Sequence, residues 1–143
     1  MLATSHLHPV SVHFAVALVL LGFMADVLCL VFKKEQWLLK ASYFLMIVAA
    51  VSTIAAYLTG ALFTNELSGP NGELEERHEL FAKITLAIIL ITTTFRIYLV
   101  IKKLDTTPLK WLVFLFYAAT AVFIGITGYL GGSLVYDHLI KLT

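Results

Sequence analysis

The stretch His6-Leu7-His8-Pro9-Val10-Ser11-Val12-His13-Phe14 holds three of the five histidines of the chain and leads directly into a long apolar run. Pro9 suits the first turn of a helix, where a missing backbone N–H costs nothing. A helix needs roughly 20 apolar residues to cross a hydrocarbon core, and the run supplies them as far as Phe32. The stretch therefore predicts a transmembrane helix with a cluster of imidazoles at its mouth.

The composition places the whole chain in the membrane class. Of 143 residues, 60% are hydrophobic and 13% are charged, whereas a soluble domain is about half apolar and a quarter charged. The net charge of +1 argues against nucleic acid as a partner, which would require a basic patch. Cys29 is the single cysteine, so the chain has no internal disulfide and no Cys-x-x-Cys-His attachment for covalent haem.

Four apolar stretches are long enough to span a bilayer, at about residues 10–32, 37–63, 80–101 and 109–130. Short connections join the first to the second and the third to the fourth, and a polar loop with Gly69-Pro70 and Asn71-Gly72 turn signals lies between the two pairs. The N-terminus lacks the positive region of a cleaved signal peptide, so we expect the first span to be retained. We predict an all-α, up-down-up-down four-helix bundle forming one domain, without an internal repeat.

The charged residues of the connections predict the orientation. The two short connections are rich in lysine, and the long loop is rich in glutamate. The positive-inside rule therefore puts both termini and the long loop outside. The expected location is the bacterial inner membrane, as a multi-pass protein. The lysines are Lys33, Lys34, Lys40, Lys102, Lys103 and Lys110, and the acids are Glu66, Glu73, Glu75, Glu76 and Glu79.

Counting the spans from this orientation places all five histidines at the outer side of the membrane. Neutral imidazole is a common ligand for zinc, copper and haem iron. His13 lies roughly 28 Å up the first span and His78 roughly 34 Å up the third, a difference that tilt can absorb. We therefore predict His13 and His78 as axial ligands of a non-covalent haem b. His8 and His138 form a second predicted pair, for another haem or a metal. In the alternative of a bare-metal site, the ion would be gathered by all five histidines, His6, His8, His13, His78 and His138.

Two ionisable residues lie deeper in the spans. Asp26 and Arg96 are about 9 Å and 8 Å from the inner ends of the first and third spans. An unpaired charge at that depth is expensive, so we predict an ion pair between them, with a structural role rather than a place in a proton path.

Small residues recur at helical spacing on the second and fourth spans. Such stripes usually mark close helix contact in lipid, and the alternative is that a glycine face leaves room for a flat cofactor. The stripes are Ser52, Ala56 and Gly60 on the second span, and Gly125, Gly128 and Gly132 on the fourth.

Several motifs together resemble a known family, the predicted bacterial membrane proteins numbered 2231 among the domains of unknown function. The resemblance covers nearly the whole chain and implies four spans. Some relatives are joined to or encoded near c-type cytochromes, which implies electron transfer. Leu139 departs from the glycine that typically follows the last motif of the family. The motifs are His8-Pro9, Val12-His13-Phe14, Asp26, His78, Arg96 and Gly131-Gly132-Ser133-Leu134-Val135-Tyr136-Asp137-His138.

Three hypotheses follow for the function. The first is a b-type cytochrome-like electron-transfer subunit that binds haem near the outer face and passes electrons between membrane quinol and a periplasmic c-type cytochrome. The second is a non-haem protein binding copper, zinc or iron, and the third is a cofactor-free structural subunit. The sequence contains no nucleophile or phosphate-binding motif, so we expect an accessory subunit, in a homo-oligomer or a larger complex, rather than a stand-alone enzyme.

Overall fold

The computed structural model describes the backbone of residues 7–63 and 70–140 and the side chains of residues 7–62 and 72–136. The described chain is all-α and forms four helices, and each contains a segment long and apolar enough to cross a membrane. The prediction of four membrane-spanning helices is therefore confirmed. The helices are α1 (Leu7–Val31), α2 (Gln36–Phe63), α3 (Pro70–Ile101) and α4 (Leu109–Ile140).

The helices form a closed ring in chain order. The closest packing is within two hairpins, α1 with α2 and α3 with α4, and the ring closes where α1 meets α4 and α2 meets α3. Because successive helices alternate in direction, α1 and α3 run parallel and face each other across the bundle. Large apolar side chains such as Phe14, Phe44, Ile91 and Leu115 are exposed on the outside of all four helices. This is the surface expected of a protein in contact with lipid.

Three helix ends differ from the predicted spans. α1 begins at Leu7 rather than near residue 10, and α3 begins at Pro70, nearly three turns of polar helix before residue 80. α4 continues through Gly131 and Gly132 to Ile140, past the predicted end near residue 130. The apolar runs marked only the membrane-crossing part of each helix. Pro70 fits a first helical turn, and the acidic Glu73 in that turn of α3 suits the positive end of the helix dipole.

The end of α3 is fixed without a glycine. Lys103 adopts a left-handed conformation with φ of 57°. The N–H of Leu104 donates to the carbonyl of Leu99 at 2.8 Å, and the N–H of Lys103 donates to Val100 at 3.1 Å. This pair of bonds is a Schellman motif. Leu104 packs against the buried apolar core of the bundle, which includes Leu99 and Val113, and this contact anchors the turn into α4.

The two hairpins share one burial pattern, although the sequence showed no repeat. Residues of α1 correspond to residues 70 positions later in α3, and residues of α2 correspond to residues 71 positions later in α4. The residue types differ at nearly every matched position, which is why comparison by sequence missed the relationship. Matched buried pairs are Ala15 and Thr85, Val19 and Ile89, Asp26 and Arg96, Met46 and Tyr117, Ala49 and Thr120, and Thr53 and Ile124.

Candidate functional site

His8 of α1 and His78 of α3 come together across one end of the bundle. Their ring centroids are 6.2 Å apart and the ring planes are nearly perpendicular, at 81°. Both side chains are half-buried. They occupy matched positions of the two hairpins, since the 70-residue shift from α1 to α3 carries His8 onto His78. We call this end of the bundle the histidine end.

A backbone carbonyl orients each imidazole. The Nδ1 atom of His8 lies 3.0 Å from the carbonyl oxygen of Ala56 in α2, and that of His78 lies 3.0 Å from the carbonyl oxygen of Thr127 in α4. Because a carbonyl can only accept, the proton of each neutral ring is on Nδ1 and the lone pair is on Nε2. The Thr59 hydroxyl lies a further 3.4 Å from Nδ1 of His8. Neither Nε2 has a hydrogen-bond partner within residues 7–62 and 72–136.

A glycine makes room for each ring. Gly60 and Gly131 each stand four residues, about one turn, after the carbonyl that orients the ring. A Cβ atom built on Gly60 would lie 2.8 Å from Cε1 of His8, and one built on Gly131 would lie 3.0 Å from Cε1 of His78. Each imidazole therefore packs directly against the second helix of its own hairpin, His8 on α2 and His78 on α4. The ring fills the space that the side chain of any residue larger than glycine would take.

A cavity of about 550 Å³ surrounds the two histidines, within the range of ligand pockets in proteins. Its deeper wall is formed by apolar side chains and by hydroxyls, among which Thr85 and Thr127 lie 3.2 Å apart. Glu75, Glu76 and Glu79 of α3 line the cavity beside His78. The site thus combines two oriented imidazoles, an apolar interior and a carboxylate side.

The structure does not bring together the predicted pair of His13 and His78. The His13 side chain is exposed and donates Nδ1–H to the carbonyl of Pro9 at 2.6 Å. A separation of five residues rotates His13 by about 140° from His8 around the helix axis. His8, rather than His13, faces His78. The side chain of His138, and all of His6, lie outside the described residues.

Bare-metal coordination by protein groups alone has little support at this site. Among the described side chains, no three or more His, Cys, Asp or Glu residues converge on one point. Structural zinc sites use four protein ligands, and catalytic zinc sites use three. The described part of the cavity offers two imidazoles.

Asp26 and Arg96 form a second polar layer between the same two helices. Nη1 and Nη2 of Arg96 donate to Oδ2 and Oδ1 of Asp26 at 2.8 Å and 2.9 Å. The hydroxyl of Ser42 donates to Asp26 at 2.5 Å and accepts from Arg96 at 3.0 Å. The three side chains are buried. Each partner of the ion pair stands 18 residues, five full turns, after the histidine of its own helix, so both layers share one face.

Sequence reasoning named Gly60 in a small-residue stripe and Gly131 in a motif, but it did not assign either glycine, or the two carbonyls, to the histidine rings. The available signal was the equal 18-residue spacing from His8 to Asp26 and from His78 to Arg96. Because 18 residues make five full turns, the histidine and the charged residue of each helix lie on one face. If Asp26 and Arg96 pair across the bundle, His8 and His78 are then expected to face each other as well. Depth alone, which was used to select His13, does not contain this information.

Comparison with known proteins gives one match. A family model described as Predicted membrane protein (DUF2231) matches residues 4–143, which include all four helices. Neither the search of curated proteins nor the search of solved structures found a match.

Proposed function

The chain belongs to the DUF2231 family of predicted membrane proteins, and we propose that it acts in the membrane as a b-type cytochrome-like electron-transfer subunit, with haem held between His8 and His78. The observation that carries the proposal is the pairing of these two imidazoles, each with Nδ1 bound to a backbone carbonyl. The pair revises the ligand assignment made from sequence, because His8 replaces His13 opposite His78.

The number of ligands favours haem over a bare ion. A porphyrin supplies four nitrogen ligands of its own, so haem iron needs only one or two from the protein. Two imidazoles complete such a site, whereas they leave a bare zinc or copper ion short of the ligands it requires.

The geometry of the pair also fits. The ring centroids of His8 and His78 are 6.2 Å apart, so the two imidazoles would be close enough to hold one group between them. A metal-binding imidazole usually donates its other ring N–H to a carbonyl or carboxylate, which fixes the tautomer and the ring orientation. Ala56 and Thr127 supply that acceptor for the two rings.

Each part of the chain has a defined task in this proposal. When bound, the haem would supply one-electron redox chemistry. His8 and His78 would hold the iron, Gly60 and Gly131 keep the rings against α2 and α4, and the apolar wall limits access of water. The lysine distribution supports a location of this site near the outer face, where a periplasmic c-type cytochrome would be the partner and membrane quinol the other redox couple.

Absorption spectroscopy tests the proposal directly. The detergent-purified protein, expressed with excess haem, is expected to show a b-type α-band in the reduced-minus-oxidised spectrum. His8→Ala and His78→Ala are expected to lose it, because each removes one of the two residues that would hold the iron. His13→Ala is the matched control on the same helix, since its exposed ring does not line the cavity, and it should retain the band.

Two results would contradict the proposal: a flat spectrum in the unchanged protein, or an α-band that survives in both His8→Ala and His78→Ala. Metal analysis of the same samples then separates the remaining hypotheses. Bound copper or zinc without a porphyrin spectrum would indicate a bare-metal site completed by residues such as His6 or His138. Absence of both would indicate a structural subunit.

A further inference from the structure

A second cavity, of about 660 Å³, opens at the opposite end of the bundle from the histidines. We call it the lysine cavity. Its floor is the Asp26–Arg96 ion pair, whose charges neutralise each other. Three further cations, Lys33, Lys40 and Lys110, line it together with an apolar wall. That wall includes Leu30, Leu39, Phe44, Val100 and Phe114.

The three lysines of the lysine cavity differ from Arg96, which is paired with Asp26. Within the described residues, Lys33, Lys40 and Lys110 form no salt bridge. Glu35, which also lines the cavity, accepts a hydrogen bond from the Trp37 indole at 2.9 Å. Asp105 lines the cavity as well, so three lysines and two carboxylates leave its lining with a net charge of +1, at an end of the bundle where lysines outnumber acids six to two. An anionic group in the cavity would meet this net positive charge.

Trp111 indicates the depth at which the lysine cavity lies in the bilayer. Trp111 lines the cavity and stacks beneath the Lys110 ammonium, 5.9 Å from the ring centroid. Tryptophan is enriched where the hydrocarbon meets the headgroups. The lysines therefore lie at headgroup level, and the apolar wall extends from them toward the hydrocarbon.

From this arrangement we infer that the lysine cavity binds an anionic phospholipid. Its phosphate lies among Lys33, Lys40 and Lys110, and its acyl chains lie against the apolar wall. Basic pockets between transmembrane helices are the usual sites for anionic headgroups, and lysine can hold a headgroup while its methylene stem covers apolar surface. The inference is independent of the proposed haem, which lies five helical turns, about 27 Å, away.

The test compares two lipids with the same acyl chains, one with an anionic headgroup and one with a zwitterionic headgroup. The full-length protein in detergent is titrated with phosphatidylglycerol or with phosphatidylcholine of the same acyl chains, and bound lipid is counted by native mass spectrometry. We expect phosphatidylglycerol to bind at least about tenfold more tightly. In the triple variant Lys33→Gln, Lys40→Gln and Lys110→Gln, its affinity should fall roughly 10- to 100-fold.

A second triple variant controls for overall charge. Lys34→Gln, Lys102→Gln and Lys103→Gln remove the same charge from the same end, but these residues do not line the cavity. This control should retain the affinity within about threefold. Equal losses in both triple variants would mean general surface attraction and overturn the inference, as would equal binding of the two lipids by the unchanged protein.

A variant that keeps every charge tests the apolar part of the site. Leu39→Trp places a larger side chain in the cavity wall and so leaves less room for the acyl chains. It should weaken phosphatidylglycerol binding several-fold. Unchanged affinity in this variant would mean that the acyl chains do not enter the cavity, and would also overturn the inference. Because this substitution leaves the lysines in place, the test remains decisive if the cavity triple variant fails to fold.

Discussion

His8 and His78 occupy matched positions of two helical hairpins and face each other with ring centroids 6.2 Å apart. Each ring takes its orientation from the other helix of its own hairpin, through a carbonyl bond of 3.0 Å. The site therefore depends on both hairpins folding and on their docking together. A ligand held by the two rings links α1 to α3, which face each other across the ring of helices.

Substitution of the glycines beside the rings is expected to damage the site. Gly60→Ala and Gly131→Ala place a Cβ atom 2.8 Å and 3.0 Å from an imidazole carbon, so the rings must move. We expect a shifted or weakened α-band and a lower haem content after purification. Gly132→Ala is the matched control, because its Cβ meets nothing within 4 Å. It should leave the spectrum unchanged and raise stability by up to about 1 kcal/mol through helix propensity.

The same spectrum in Gly60→Ala, Gly131→Ala and Gly132→Ala would show that the two glycines do not set the ring positions. The ratio of Soret to protein absorbance is the measurement that decides between these outcomes.

The carboxylates of α3 should set the reduction potential of the bound group. Glu75 and Glu76 line the histidine cavity, and negative charge there favours the more positive, oxidised form. The variant Glu75→Gln with Glu76→Gln is therefore expected to raise the midpoint potential, on the order of tens of millivolts. Potentiometric titration of the α-band measures the change. Glu73→Gln, on the same helix but outside the cavity lining, is the control, and a lowered potential in the double variant would contradict the prediction.

Loss of one partner of the buried ion pair should destabilise the fold strongly. Asp26→Ala leaves the Arg96 guanidinium buried beside Ser42 without its carboxylate. Breaking a buried pair in this way costs about 3–5 kcal/mol. The double variant Asp26→Leu with Arg96→Met should recover most of the loss, since neither charge is then buried. Thermal unfolding followed by circular dichroism in detergent measures both.

The exposed pair of Glu79 and Lys83 on α3 provides the comparison for the ion-pair experiment, at 2.7 Å with both side chains about half exposed. Glu79→Ala should change the unfolding temperature little. If Asp26→Ala proves as mild as Glu79→Ala, the Asp26–Arg96 pair does not stabilise the bundle.

The Tyr117 hydroxyl is predicted to be dispensable for stability. The side chain is fully buried, and its oxygen has no hydrogen-bond partner among the described residues. Tyr117→Phe removes an unsatisfied polar group and should preserve stability or raise it by about 1 kcal/mol. Gly22→Ala should destabilise, because the new Cβ would run into the Tyr117 hydroxyl. Tyr117→Phe should partly rescue Gly22→Ala, and strictly additive unfolding temperatures would contradict this coupling.

The sequence alone was enough to predict the number of membrane-spanning helices and the different charge of the connections at the two ends of the bundle. Hydropathy counts residues along one axis, and a helix rises 1.5 Å per residue, so length and depth can be calculated without knowledge of packing. The four helices, the lysine-rich short connections and the similar depths of Asp26 and Arg96 follow from that count. Polar helical turns such as those before Glu79 do not, because hydropathy marks only the apolar part of a helix.

Tertiary structure decided which residues face inward. Rotation about a helix axis depends on the neighbouring helices, and the apolar residues of a membrane helix surround it on all sides, so no amphipathic stripe marks the inner face. The depth of His13 along the first span led to its prediction as a haem ligand. In the packed bundle, His8 faces His78 and His13 is exposed. The carbonyls of Ala56 and Thr127 carry no side-chain signal at all. Only the docking of each histidine on the second helix of its hairpin reveals them as the groups that orient the site.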